Sequence, residues 1–393
     1  MPRTTGRYET TAAGGEAVQA FVPHPLPPRD PSLDLTGALA ERLRLAEQAL
    51  ARLELAGAMV PSVDWFIYAF VRKEAVISSQ IEGTQATLED LLRHEATPLA
   101  HQLSAPNVEV GEVCNYLNAL SWAQAQLADP EGLPLSIRLL NGAHARLLQG
   151  TRGAGRLPGE VRRSQNWIGG SRPGNAAFVP PPPQLLPQLL SDLEQYIHTD
   201  DHLPPVVRAG LLHVQFETIH PYLDGNGRIG RLLVSLLLEH WGLLTRPLLY
   251  LSLFFKRHRA EYYRRLALVR TEGDWEGWLD FFLDGVATIA EEAVATSRDL
   301  FTLVAADRLR LLGLDSASVT ALRLFELLPK NPIVDSSSVM ALLETTRPTA
   351  GRALSVLVEA GVLVETTGRR RDRSFAYGAY LARMREGTEL DLA

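Results

Sequence analysis

The twelve residues from 220 to 231 constrain this chain more than any other stretch. They read His220-Pro221-Tyr222-Leu223-Asp224-Gly225-Asn226-Gly227-Arg228-Ile229-Gly230-Arg231, with apolar helical patterns before them (Pro204 to Ile219) and after them (Arg231 to Trp241). Pro221 disfavours α geometry at His220, so the first helix ends there and leaves an imidazole at a helix terminus beside a loop. A histidine so placed can act as a general base near neutral pH. Gly225-Asn226-Gly227 lacks side-chain bulk at two of three positions. Its backbone N–H groups can turn inward at the start of the next helix, where the dipole favours anions, which makes a cradle for phosphate. Arg228 and Arg231 lie three apart on one helical face, within reach of phosphates the cradle leaves outside. Asp224 offers a hard oxygen ligand for magnesium. Gly225, Gly227 and Gly230 also satisfy GxGxxG, but a helix precedes them and no βαβ alternation surrounds them, which excludes a dinucleotide fold.

The rest of the chain reads as mainly α. Leu39, Leu43, Ala46, Leu50 and Leu53 recur at steps of four and three, and Phe66, Ile67, Phe70, Val71, Ile77 and Ile81 mark a second such face. Helical patterns continue over Val108 to Leu127, Leu135 to Gln149, Leu185 to Ile197, Lys256 to Val269 and Trp275 to Phe282. Before them, prolines from Pro23 to Pro31 predict an extended arm or a disordered tail. Between Asn166 and Val179, apolar runs flank a Gly/Pro/Asn cluster, which predicts a β-hairpin, and Pro180 to Pro183 form a rigid connector after it. After Phe301 the order is three helices (Ser318 to Leu328, Ser336 to Leu343, Thr349 to Ala360), then Val362 to Glu365 and a basic run with Arg369, Arg370, Arg371 and Arg373. That is the outline of a winged helix-turn-helix.

Charge and cysteine content exclude several classes. The 39 basic and 45 acidic residues leave a net charge of -6, so no global field marks a nucleic-acid coat or membrane-surface protein. Cys114 stands alone, which excludes an intrachain disulfide framework and fits a reducing cytoplasm. With neither an apolar leader nor a run of eighteen apolar residues, the expectation is a soluble cytoplasmic protein with no membrane partner.

The segment from His220 to Arg231 resembles the Fic motif HPFxDGNGRxxR, with Tyr222 replacing phenylalanine, and the resemblance extends from about Phe21 to Phe282. It implies a mainly α fold: a Fic helical core with a β-hairpin flap, an N-terminal helical domain and a C-terminal winged helix-turn-helix. Boundaries are expected at 1–105, 106–290, a linker helix over 291–314, and 315–393. The implied reaction is transfer of AMP from ATP to a Tyr, Ser or Thr hydroxyl of a target protein or of the chain itself. His220 is the base, Asp224 holds Mg2+, and Gly225, Asn226, Gly227, Arg228, Ile229, Gly230 and Arg231 bind nucleotide. Upstream, Ser78-Ser79-Gln80-Ile81-Glu82-Gly83 resembles the family's inhibitory signature, in which Glu82 would occupy Arg231 and block the γ-phosphate. Asn166, Trp167, Ile168 and Phe178 fall in the flap that receives the target segment. Tyr263 is placed near the nucleotide base, although paired tyrosines such as Tyr262 and Tyr263 are more often core. A homodimer and DNA, the latter through the winged helix, stay open as partners. So do removal of AMP, transfer of another nucleotide, and a DNA-binding regulator with a nucleotide-sensing core.

Overall fold

The computed structural model of the chain describes residues 3–59, 63–96, 108–369 and 372–390. Two antiparallel strands open it, β1 (Gly6–Ala13) and β2 (Glu16–Pro23). Gly14 and Gly15 turn between them with φ of +54° and +83°, the paired positive angles of a two-residue hairpin turn. The expectation of an irregular arm is therefore corrected. The proline cluster begins only at Pro23, where pairing stops, so it ends the hairpin instead of preventing it.

Fifteen helices follow among the described residues. The first five are α1 (Gly37–Met59), α2 (Val63–Ile81), α3 (Leu88–Ala96), α4 (Val108–Ala128) and α5 (Ile137–Leu147). Then come α6 (Leu186–His198), α7 (Pro205–Ile219), α8 (Asn226–His240), α9 (Ser252–Arg257) and α10 (Arg259–Glu272). The pattern over Lys256 to Val269 is thus divided at His258 between α9 and α10. The next, α11 (Trp275–Leu312), runs unbroken for 38 residues, capped by Asp274 accepting from the Gly277 N–H, and passes through the boundary expected between 290 and 291. Arg42 pairs with Asp280 and Asp284, and Arg52 with Glu291, so α1 lies along α11. At the centre, α7 and α8 are buried over nearly their whole length, polar residues such as Arg208, His213, Arg228 and Arg231 included.

The C-terminal part holds α12 (Val319–Leu327), β3 (Ile333–Asp335), α13 (Ser336–Leu343), α14 (Arg347–Glu359), β4 (Val364–Glu365), β5 (Ser374–Ala376) and α15 (Gly378–Met384). Its three strands pair antiparallel in the order β3-β5-β4. Asp335 caps α13 in a capping box with Ser338. Arg370 and Arg371 lie outside the described residues, as does the boundary expected between 105 and 106. The chain then returns to α2: Gln80 donates to the Thr388 carbonyl at 2.9 Å and accepts from Lys256 Nζ at 2.9 Å, while Lys256 also donates to the Glu389 carbonyl. No helix among the described residues is long and apolar enough to cross a membrane.

Candidate active site

The site is built where α7 ends and α8 begins. His220 takes the C-cap position of α7 with φ +50° and ψ 61°, a left-handed conformation that a non-glycine residue adopts only when its surroundings impose it. The imposing group is Arg162. Fully buried, its guanidinium donates to the carbonyls of His220 (2.9 Å), Pro181 (2.6 Å), Ile219 (3.4 Å) and Ser164 (3.2 Å), and its own N–H donates to the Pro221 carbonyl (2.9 Å). One side chain thereby fixes both the turn after α7 and the proline run behind the flap. His220 Nδ1 faces the Glu217 carbonyl at 3.3 Å, so that nitrogen carries the proton and Nε2 keeps its lone pair. Burial, reinforced by the positive charge of Arg162, lowers the imidazole pKa to about 4, so it is neutral and able to accept a proton at pH 7.

The loop itself is closed by Asn226, whose Oδ1 accepts from the Tyr222 N–H (2.8 Å) and whose Nδ2 donates to the Tyr222 carbonyl (2.9 Å). Tyr222 is buried, and the hydroxyl it adds relative to phenylalanine donates to Asn141 Oδ1 at 2.8 Å, so the exchange leaves no orphaned polar group. Gly225 caps α8 with φ +77°, and the first turn of that helix leaves its leading N–H groups without intrahelical partners. Beside them lies Arg228, 5% exposed, with Nε and Nη1 lacking any partner and Nη2 3.6 Å from Asp224 Oδ1. A buried guanidinium with two empty donors costs free energy unless an anion completes it. The Asp224 carboxylate keeps 44% of its side-chain surface exposed beside those donors.

The segment from Ser78 to Gly83 meets this loop from the end of α2. Arg231, 3% exposed, donates through Nε to Ser78 Oγ (2.9 Å) and through Nη2 to the Ser78 carbonyl (2.9 Å) and Glu82 Oε1 (2.7 Å). Gly83 follows with φ +95°, ending α2 where the sequence places the stop. A Cβ on Gly227 would sit 2.2 Å from Glu82 Oε1, so glycine there admits the carboxylate onto the first turn of α8. Burial pushes the Glu82 pKa up, but the charge and hydrogen bond of Arg231 outweigh it and hold the group ionised. Glu82 therefore stands as an anion against a helix N-terminus, in the region a phosphate would use.

The remaining candidates divide. Ile229 is fully buried in the core and its N–H is taken by the Gly225 carbonyl; a Cβ on Gly230 would press on Glu217 Oε1 at 2.3 Å. Tyr263 is 45% exposed, while its neighbour Tyr262 is buried and donates to His213 Nε2 (2.8 Å), whose Nδ1–H is held by the Gly230 carbonyl (3.1 Å). The flap is reduced from a hairpin to one antiparallel pair, Ile168 with Phe178, bonded both ways at 2.8 and 3.1 Å. Gly169 and Gly170, at φ +69° and +73°, and the 3-10 turn Pro173–Asn175 break the strands beyond it. Trp167 and Ile168 are exposed, Arg270 lies over the Phe178 ring at 4.0 Å, and Asn166 Nδ2 reaches the Tyr222 carbonyl at 3.5 Å. The flap is stapled to β2: Phe21 N–H donates to the Val179 carbonyl (2.9 Å), Arg172 pairs with Glu16 (2.6 Å), and Ala13, Val18, Ala20 and Val179 form a small core of their own.

Sequence reasoning missed three residues here. Arg162 gave no signal beyond a basic pair, and His144 was one histidine in a helical pattern. Glu217, whose Oε1 has no hydrogen-bond partner, has its pKa pushed by burial to about 7 beside Glu82 and Arg231. Its place three residues before His220 was the only hint.

Known proteins agree with this architecture. The Fic/DOC family N-terminal pattern matches residues 40–125, and the Fic/DOC family pattern matches residues 134–238. The fold and the site define a Fic protein. The chain belongs to the Fic/DOC family. A probable protein adenylyltransferase of Aquifex aeolicus is 35% identical over 89 residues, 23% of this chain and 26% of that protein. The protein adenylyltransferase Fic of Drosophila willistoni is 32% identical over 171 residues, 43% of this chain and 30% of that protein. The matches thus span less than a third of these relatives' own lengths. Among solved structures, a Fic family protein from Desulfovibrio desulfuricans G20 superposes with a TM-score of 0.55 at 21% identity, covering 88% of this chain and 97% of that one. A Fic domain containing signaling protein from Bacteroides thetaiotaomicron gives 0.50 at 19% identity, over 64% of this chain and 95% of that one. At such identities these two neighbours establish the fold alone.

Proposed function

We propose that the protein is an adenylyltransferase that moves AMP from ATP to a hydroxyl side chain of a protein. The observation that carries this is Arg228, buried with two unpaired donors beside the free N–H groups of α8, a site that asks for an anion of several oxygens. The triphosphate lies along the α8 N-terminus, with the α- and β-phosphates on the loop and Arg228 and the γ-phosphate toward Arg231. His220 Nε2 takes the proton of the target hydroxyl, whose oxygen attacks the α-phosphorus. The bond to the β-phosphate oxygen breaks and pyrophosphate leaves. Arg228 and the helix dipole stabilise charge as it develops on the phosphates.

Magnesium fits the residues present. Among the described residues no cluster of three or more His, Cys, Asp or Glu could hold a metal. Magnesium, however, commonly takes one or two carboxylates and completes its shell with phosphate oxygens and water, and the half-exposed Asp224 supplies that carboxylate. When bound it would offset the charge of the leaving pyrophosphate. Glu82 restrains the reaction, since its hold on Arg231 removes the partner of the γ-phosphate. The flap receives the target as an added strand. We read the three helices and β3-β5-β4 as a winged helix. Arg347 and Arg352 are exposed along α14 with Glu359 exposed at its end, so DNA and a docking role stand equally as readings of this unit.

The test compares ATP labelled at the α-phosphate with ATP labelled at the γ-phosphate, magnesium present, using the Glu82→Gly protein. Label from the α position alone on protein supports AMP transfer. Label from the γ position would make the enzyme a kinase, and label from neither while ATP binds would move the nucleotide-sensing reading ahead.

A further inference from the structure

We propose that His144 is a positioning residue that sets the direction of the Asp224 carboxylate through the backbone of the catalytic loop. It rests on the reading of Asp224 as the magnesium ligand. His144 lies in the last turn of α5, fully buried, 80 residues from the loop in sequence. Its Nδ1 is 2.9 Å from the Gly159 N–H, which can only donate, and its Nε2 is 3.0 Å from the Asp224 carbonyl, which can only accept. Those two obligate partners fix one arrangement: a neutral ring with its proton on Nε2. The ring also stacks on Tyr222, centroids 3.8 Å apart and planes within 8°, so it can neither tilt nor flip without breaking both bonds.

The consequence passes along one peptide plane. Because the peptide is planar and trans, its carbonyl and its N–H point in opposite directions. Holding the Asp224 carbonyl toward α5 therefore turns the Gly225 N–H to the other side of the loop, where it donates to Asp224 Oδ1 at 2.6 Å. The second oxygen is confined as well, since a Cβ on Gly153 would lie 3.1 Å from Asp224 Oδ2. Gly159 is part of the same construction. It holds φ +81°, and a Cβ there would stand 3.0 Å from Ala145 Cβ, so the segment is seated directly on α5 with its N–H aimed at the imidazole. Two glycines with no catalytic role of their own thus let residues 150–160 close over α5 and deliver the N–H donor that makes His144 Nδ1 an acceptor. The carboxylate is left with Oδ1 tethered by the Gly225 N–H and 3.6 Å from Arg228 Nη2, and with Oδ2 beside Gly153.

The experiment uses the full-length protein and measures ATP affinity by calorimetry with and without magnesium, alongside thermal unfolding. His144→Phe keeps a flat ring against Tyr222 and loses both hydrogen bonds. His144→Gln has a terminal amide whose oxygen can accept from Gly159 and whose nitrogen can donate to Asp224. In the Phe variant the gain in ATP affinity conferred by magnesium is expected to shrink by about tenfold, the lower range for loss of a partner behind a metal ligand. Affinity without metal stays within about twofold. The Gln variant recovers most of the gain. Three results would each overturn the proposal: a Phe variant with the wild-type gain, a fall in both affinities together with a collapse in melting temperature, or a Gln variant no better than Phe. If wild type itself gains nothing from magnesium, the metal reading of Asp224 falls and takes this inference with it. Label transfer is not a readout here, so the transferase reading can fail while this one holds.

Discussion

The catalytic loop and the flap lie side by side, yet they are built in opposite ways. The loop is closed by buried hydrogen bonds: Asn226 bonds both backbone groups of Tyr222 from within it, and Arg162 collects four carbonyls around the turn at His220 from outside it. The flap has one pair of its own, Ile168 with Phe178, and is anchored by the first 23 residues of the chain together with Arg270 over the Phe178 ring and Asn166 at the Tyr222 carbonyl. The loop is held by polar groups of the core, buried Arg162 and His144 and half-buried Asn141 among them, whereas the flap is held by a few contacts at the surface. That contrast fits the two tasks: phosphate geometry is the same for every target, and the target is not.

The largest effect should come from the loop. His220→Ala is expected to lower label transfer by on the order of 10²- to 10⁴-fold while ATP affinity stays near wild type, as transfer rates and calorimetry would show. The same residue fixes the pH dependence. With its folded pKa lowered to about 4, the imidazole remains the free base as pH falls through 6.5, so the acid limb it imposes on transfer lies near pH 4. A pH–rate profile of Glu82→Gly that turns down at 6.5 would put the histidine in a wetter setting than the one described. Folding stability has a matching sign. A histidine whose folded pKa is depressed contributes stability above the unfolded pKa, and loses it as pH falls from about 6.5 toward 4. Next in size, Arg228→Ala should weaken ATP binding by roughly ten- to a hundredfold, the worth of hydrogen bonds to a charged group. Glu16→Arg, at the far side of the flap, sets two like charges against each other where Arg172 now has a partner. It should leave ATP affinity unchanged and reduce transfer to protein a few-fold, since an exposed ion pair contributes about 0–1 kcal/mol. A loss of ATP binding in that variant would break the division between loop and flap.

This division also explains what was legible in the sequence. The loop could be read because each residue answers a local requirement: Pro221 ends α7, Gly225 takes the left-handed cap, and Arg228 and Arg231 share a face. Glu82 and Gly83 were legible locally only as a helix end with its stop, and the pairing of Glu82 with Arg231 came from the family resemblance. The flap was overdrawn as a hairpin, because composition shows a turn and not how far pairing extends past Gly169 and Gly170. The N-terminal hairpin was missed because prolines after Pro23 dominated the reading of what precedes them, although Gly14-Gly15 between β-compatible runs marked the turn. His144 and Arg162 were illegible in principle. Each acts on backbone atoms 57 to 80 residues away, and nothing in a single sequence records where a carbonyl will point.

The account's central claim is that a complete transfer site is held in check by one carboxylate on Arg231. The most direct test is label transfer from α-labelled ATP with magnesium, comparing wild type, Glu82→Gly and the Glu82→Gly/His220→Ala double variant. The account predicts weak labelling of protein by wild type, strong labelling by Glu82→Gly and none by the double variant. Equal labelling by wild type and Glu82→Gly, or label that survives loss of His220, would contradict it.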